Sequence, residues 1–178
     1  MPGRLQINFE FSSTEDRLML RVSDKGTDKC VEYRLWLTRR FVNIFLRAIE
    51  KLLEDDLSSD MLVSPETMDA MKKFRQDTAL AKADFSTSYD GDATDCTLLG
   101  EEPLLATKLK VSRKSKGKYI ISLVSEENTG VNLTANIDLV HAIRKLLIEA
   151  INRANWGQPL TADNRYKVMN EGRRKLDS

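Results

Sequence analysis

Tyr33-Arg34-Leu35-Trp36-Leu37-Thr38-Arg39-Arg40-Phe41-Val42-Asn43-Ile44-Phe45-Leu46-Arg47-Ala48-Ile49 holds the change of period that decides how this chain folds. Up to Leu37 the pattern repeats every two residues. Val31, Tyr33, Leu35 and Leu37 fall on one side and Glu32, Arg34 and Trp36 on the other, as in a half-buried strand. From Phe41 the apolar positions Phe41, Val42, Phe45, Ile49, Leu52 and Leu53 recur every three or four residues, the period of an amphipathic helix. Thr38 stands at the switch, where its hydroxyl can accept from the orphan amides of a first helical turn. The reading is a strand that runs directly into a helix of about four turns.

Upstream, Ile7, Phe9 and Phe11 alternate with polar residues, as do Leu18, Leu20 and Val22 beyond a turn cluster at 12–16. A second turn at 24–28 leads into Val31, so three strands of an antiparallel meander precede the helix. The same order recurs near the other end. Leu109 and Val111, then 119–124, then Val131, Leu133 and Ala135 read as three strands. Asn136 is placed to cap a helix carrying Leu139, Val140, Ile143, Leu146, Leu147, Ala150 and Ile151, which ends near Trp156-Gly157 with Pro159 beyond. Without gaps, 33–38 lies on 131–136, Phe41 on Leu139, Phe45 on Ile143, Ile49 on Leu147 and Leu53 on Ile151. An internal duplication is one account of this match; the other is that any strand-to-helix transition carries such a pattern.

The expected fold is α+β, with two antiparallel strand-meander-plus-helix halves and a connecting helix between them. The chain, 1–178, reads as a single domain: 5–56 the first half, 57–103 a connecting helix and acidic loop, 104–157 the second half, and 158–178 a polar basic tail. Ser64-Pro65-Glu66 starts the connecting helix, with Met68, Met71, Phe74, Ala79 and Leu80 as its apolar residues. The stretch 84–102 carries six acids and no Lys or Arg, and reads as a loop with at most one short strand at 85–89.

Composition narrows the function classes. Of the 178 residues, 41% are hydrophobic and 31% charged, which is ordinary for a globular chain and excludes wholesale disorder. No apolar run approaches the roughly 18 residues that span a bilayer, and no signal-peptide core follows the start, so a cytoplasmic protein with no membrane partner is expected. Cys30 and Cys96 lack C-x-x-C spacing and read as lone thiols. A net charge of +1 argues against a surface that is everywhere an electrostatic trap for nucleic acid, so any such surface must be local.

The strongest local charge lies at 108–118, where Lys108, Lys110, Arg113, Lys114, Lys116 and Lys118 occur with no acid. A hairpin with six cations could grip a phosphate backbone by releasing counterions, and Tyr119 beside it could stack on a base. The competing reading is a solvated hairpin neutralised by the acidic stretch before it. Trp36, flanked by Arg34 and facing away from the helix side with Arg21, needs a partner: a base, a peptide, a second subunit or the chain's own connecting helix. Asp90-Gly91-Asp92-Ala93-Thr94-Asp95 with Glu101 partly echoes a calcium loop, but Asp95 stands where the sharp turn requires Gly, so no metal site is assigned. His141, the single histidine, is expected at the surface beside Arg144 and Lys145. With no glycine-rich phosphate loop, zinc-ligand cluster or Ser-centred elbow, no catalytic residue and no cofactor are expected.

A strand meander feeding a helix, given twice across about 5–56 and 104–156, resembles the duplicated sheet-plus-helix units of single-strand nucleic-acid binders of the Whirly and Pur type. The resemblance rests on element order and on no family motif. It implies an open sheet face that reads nucleic acid through cations and stacked aromatics, for which Arg21, Arg34, Trp36, Lys108 and Lys110 are the available residues. The expected function is thus a non-enzymatic binding module whose most concrete partner is single-stranded nucleic acid. The alternative is a homo-oligomeric interaction or scaffold subunit, a homodimer for instance, motivated by Ile44 and Leu46 broadening the apolar stripe of the first helix. A carboxylate enzyme would need a deep acid-lined pocket.

Overall fold

The computed structural model describes residues 4–25, 30–58, 65–82, 96–97 and 99–157. Strands β1 (Arg4–Ser12), β2 (Arg17–Lys25) and β3 (Cys30–Thr38) form the expected antiparallel meander. Helix α1 (Arg39–Ser58) follows without a linker, and α2 (Pro65–Lys82) is the connecting helix. Two short strands, β4 (Cys96–Thr97) and β5 (Leu104–Leu105), both pair with β3 in parallel. Strands β6 (Lys108–Ser115), β7 (Lys118–Val124) and β8 (Gly130–Asn136) make a second antiparallel sheet, and α3 (Ile137–Arg153) closes the second half. The α+β architecture stands, with the two meanders in separate sheets.

Both expected caps are made. The Phe41 amide donates to Thr38 Oγ1 at 3.2 Å, and the Leu139 amide to Asn136 Oδ1 at 2.9 Å, each satisfying one orphan N–H of its helix. The end of α3 is equally specific. Asn155 takes a left-handed φ of 52° just past the cap residue Ala154, and the Trp156 amide reaches back to the Ile151 carbonyl at 3.4 Å, closing the last turn.

Two features differ from expectation. Helix α1 runs for 20 residues, beyond the four turns that its apolar spacing suggests. Its last turn is held by Leu57, 8% exposed, and by the buried Asp56, whose partners come from other elements. The acidic middle segment also supplies a strand pairing at 96–97, and the start of the second half another at 104–105, each too short to show a period; the strand expected at 85–89 lies outside the described residues.

The halves share one core. A single contiguous cluster takes Phe9, Leu20 and Leu35 from the first sheet, Ile121, Leu123 and Leu133 from the second, and Phe45, Ile49, Ile143 and Leu147 from the helices. Helix α3 packs against β1 of the other half as well as against α1 and α2. Trp156 fixes this crossing. Its ring meets Phe11 edge-on at 5.8 Å, its indole N–H donates to Asp16 at 2.9 Å, and its carbonyl accepts from Arg39 at 2.6 Å. The sheets meet where the chain changes partner: the Ala106 amide donates to the Trp36 carbonyl of β3, and the next amide, Thr107, donates to Val124 of β7, both at 2.9 Å.

Candidate nucleic-acid interface

Strand register decides which way each candidate cation points. In the second sheet Leu109, Val111 and Arg113 stand opposite Leu123, Ile121 and Tyr119, on the helix-covered side. Lys108 and Lys110 therefore face outward, and so does Lys118, which pairs with Asn136 on β8. Lys114 and Lys116 lie at the hairpin end, where the register shifts and Gly117 takes a left-handed φ of 67°. The six cations are all exposed but do not share one face.

Their partners differ too. Lys108 donates to the Glu126 carbonyl at 2.9 Å and to Asn128 Oδ1 at 3.1 Å, with the Glu126 carboxylate 3.9 Å away. Arg113 and Lys116 also have partners within the chain. Lys110, Lys114 and Lys118 make no ion pair among the described residues. The outward face around Lys110 and Lys118 adds exposed Asn132, Thr134 and Asn136 and carries no acid from β6, β7 or β8. It is a cationic strand face whose central strand also carries half-buried Ile120 and Val124.

On the first sheet, register places Arg21 directly opposite Arg34, and Met19 opposite Trp36. Two like charges facing each other across a ladder repel. Here Glu10 approaches Arg21 at 3.6 Å and Glu32 approaches Arg34 at 3.8 Å, while a second nitrogen of Arg34 donates to the Glu101 carbonyl. Met19, Ser23 and Glu32 on this face are buried, and Trp36 is half-buried beside Leu105, its register partner on β5. Arg21, Arg34 and Trp36 thus lie on a largely covered, internally neutralised face. It adjoins the cationic face along one chain path, since Leu105 precedes Lys108 by three residues, about 10 Å of extended backbone.

Tyr119 faces inward, because its place in β7 is opposite Arg113 on the helix side, and it is 5% exposed. Its hydroxyl donates to the Asp56 carboxylate. Burial, and then the hydrogen bond to that carboxylate, push its pKa up to about 12, so the phenol is neutral at physiological pH. It does not stack on an external base.

Asp56 is the centre of a polar cluster where the helices meet. Arg75 of α2 approaches its other carboxylate oxygen at 3.4 Å, and Glu50 of α1 pairs with Arg144 of α3 at 3.2 Å. His141, expected at the surface, is 5% exposed in this cluster, because α2 packs on the face of α3 that carries it. Its Nδ1 has no hydrogen-bond partner among the described residues. Burial, and next the Arg144 guanidinium, hold its pKa below the usual histidine value. Asp56 carried a readable signal: it falls seven residues after Ile49 and three after Leu53, a charge on an apolar stripe. His141 carried none, since α2 has only a weak period of its own.

The residues 90–95 of the calcium-loop echo lie outside the described residues. No described helix is long and apolar enough to cross a membrane. Comparison of the chain with protein-family models, with curated proteins and with solved structures finds no match.

Proposed function

We propose that this chain is a non-enzymatic binding module for single-stranded nucleic acid, which lies along the outward face of β6, β7 and β8. The observation that carries the reading is the cationic strand face on which Lys110 and Lys118 stand without an acid, with Lys114 at the hairpin end. Phosphates would sit at these ammonium groups, and Asn132, Thr134 and Asn136 offer donors and acceptors to sugar and base edges. Half-buried Trp36 and exposed Leu105 give the adjoining end its apolar surface. The element order that resembles Whirly- and Pur-type binders agrees with this reading.

The rival, a homo-oligomeric scaffold, drew on Ile44 and Leu46. Leu46 is taken up by the chain's own core at 1% exposure, so of these two residues Ile44, 47% exposed, is left at the surface, and the nucleic-acid reading stands first.

Fluorescence anisotropy with a labelled single-stranded oligonucleotide tests it. Binding is expected at about 50 mM salt and should weaken steeply as salt rises. Replacing Lys110 and Lys118 together by Ala should reduce the slope of log K against log salt by about 1.4, close to 0.7 for each phosphate contact on a single strand. No association at low salt, or an unchanged slope in the double variant, would overturn the proposal.

A further inference from the structure

Helix α1 and the β6–β7 ladder do not close on one another along their whole length. Between them lies a cavity of about 450 Å3, within the range of roughly 300–1,000 Å3 that small-molecule sites occupy. Ala48 and Leu52 line it from α1, and Val111 and Tyr119 from the strands. Tyr119 contributes there as a neutral aromatic group, because its hydroxyl is committed to Asp56 behind it. These four give the cavity an apolar side with one aromatic wall.

Ser112 of β6 and three charged residues complete it: Lys51 and Asp55 from α1, and Arg113, which register turns to this inner side of β6. Asp55 and Arg113 already have partners within the chain. Lys51 has none among the described residues, so its ammonium is the uncommitted charge at the cavity. An apolar side beside a cation that makes no ion pair among the described residues suits an anion that carries an apolar body, because the ammonium adds a charge-assisted contact that an uncharged analogue lacks.

We propose that this cavity is a binding site for a small aromatic carboxylate, its carboxylate at Lys51 and its ring against Ala48, Leu52, Val111 and Tyr119. The site is separate from the outward strand face, so it stands whether or not that face binds nucleic acid.

The test is a titration of the full chain with 3-phenylpropionate, followed by amide chemical shifts, beside 3-phenylpropanol and adenosine monophosphate as uncharged and nucleotide controls. Saturable shifts at residues of α1 and β6 are expected with the carboxylate at millimolar concentration or below. Lys51 is exposed, so Lys51→Ala should leave the fold intact and weaken the carboxylate roughly tenfold, one charge-assisted contact, without changing the alcohol. Ala48→Phe, which fills the cavity, should abolish the shifts while the spectrum stays dispersed; if that variant fails to fold, the Lys51→Ala titration decides alone. The proposal is overturned if the carboxylate causes no saturable shifts, if Lys51→Ala binds it as tightly as the parent chain, or if only the nucleotide binds.

Discussion

Tyr119 and Asp56 show how one buried pair joins the halves. The hydroxyl comes from the second sheet and the carboxylate from the first helix, so neither has a local substitute. Tyr119→Phe removes the donor and leaves a buried carboxylate with Arg75 alone, a loss of about 2 kcal/mol, typical of hydrogen bonds to charged groups. Urea unfolding at pH 7 would measure it. The raised phenol pKa means that this contribution is full below pH 10 and is lost as pH rises from 10 toward about 12. His141 acts at the other end of the scale. Its folded pKa lies below 6.5, so the fold disfavours the protonated ring. Stability is then full above pH 6.5 and falls as pH drops below it, levelling off once the folded form also takes up the proton. His141→Gln should flatten this decline below pH 6.5, followed by urea unfolding at stepped pH; an equal decline in both proteins would refute the assignment. Gly130 is fixed by space. A Cβ there would collide with the Leu123 carbonyl oxygen and stand 2.7 Å from Val124 Cα, both backbone atoms of the neighbouring strand that cannot swing away.

At the scale of elements, each sheet feeds its helix through a polar cap that ends one period and begins the other. Asn136 satisfies an amide at the start of α3, where the first turn also holds Asp138, favourable at the positive end of the helix dipole. Asn136→Ala should cost about 1 kcal/mol, and Thr38→Ala about as much at α1, each read as a lowered midpoint of thermal or denaturant unfolding. The edge strand β6 exposes Lys108, Lys110 and Lys114, which also hinders edge-to-edge pairing with another copy. Replacing Lys110 would weaken that protection along with any grip on phosphate, so aggregation should be followed beside binding.

For the whole molecule, the shared core makes the halves interdependent. Helix α3 packs on β1, Asp56 of α1 holds Tyr119 of β7, and Trp156 ties the end of α3 to the first turn and to α1. Thermal or urea unfolding should accordingly be a single transition, with tryptophan fluorescence, which reports Trp36 and Trp156, coinciding with far-ultraviolet circular dichroism. Two separated transitions would show that the halves are independent.

The sequence by itself determined the six long strands, the three helices and both caps, because period, turn residues and N-caps act over a few neighbouring positions. It also located the cations. In β6 the alternation of Leu109 and Val111 with Lys108 and Lys110 already separates the two sides, but only the tertiary structure decided that the side of Arg113 meets α1 and that Lys118, at the head of the unbroken apolar run of β7, turns outward. The same holds for the buried His141, the inward Tyr119 and the cavity under α1, each made by elements distant in sequence. Period shows that a residue has a buried side, but which partner arrives there is set by packing between halves that no local pattern records.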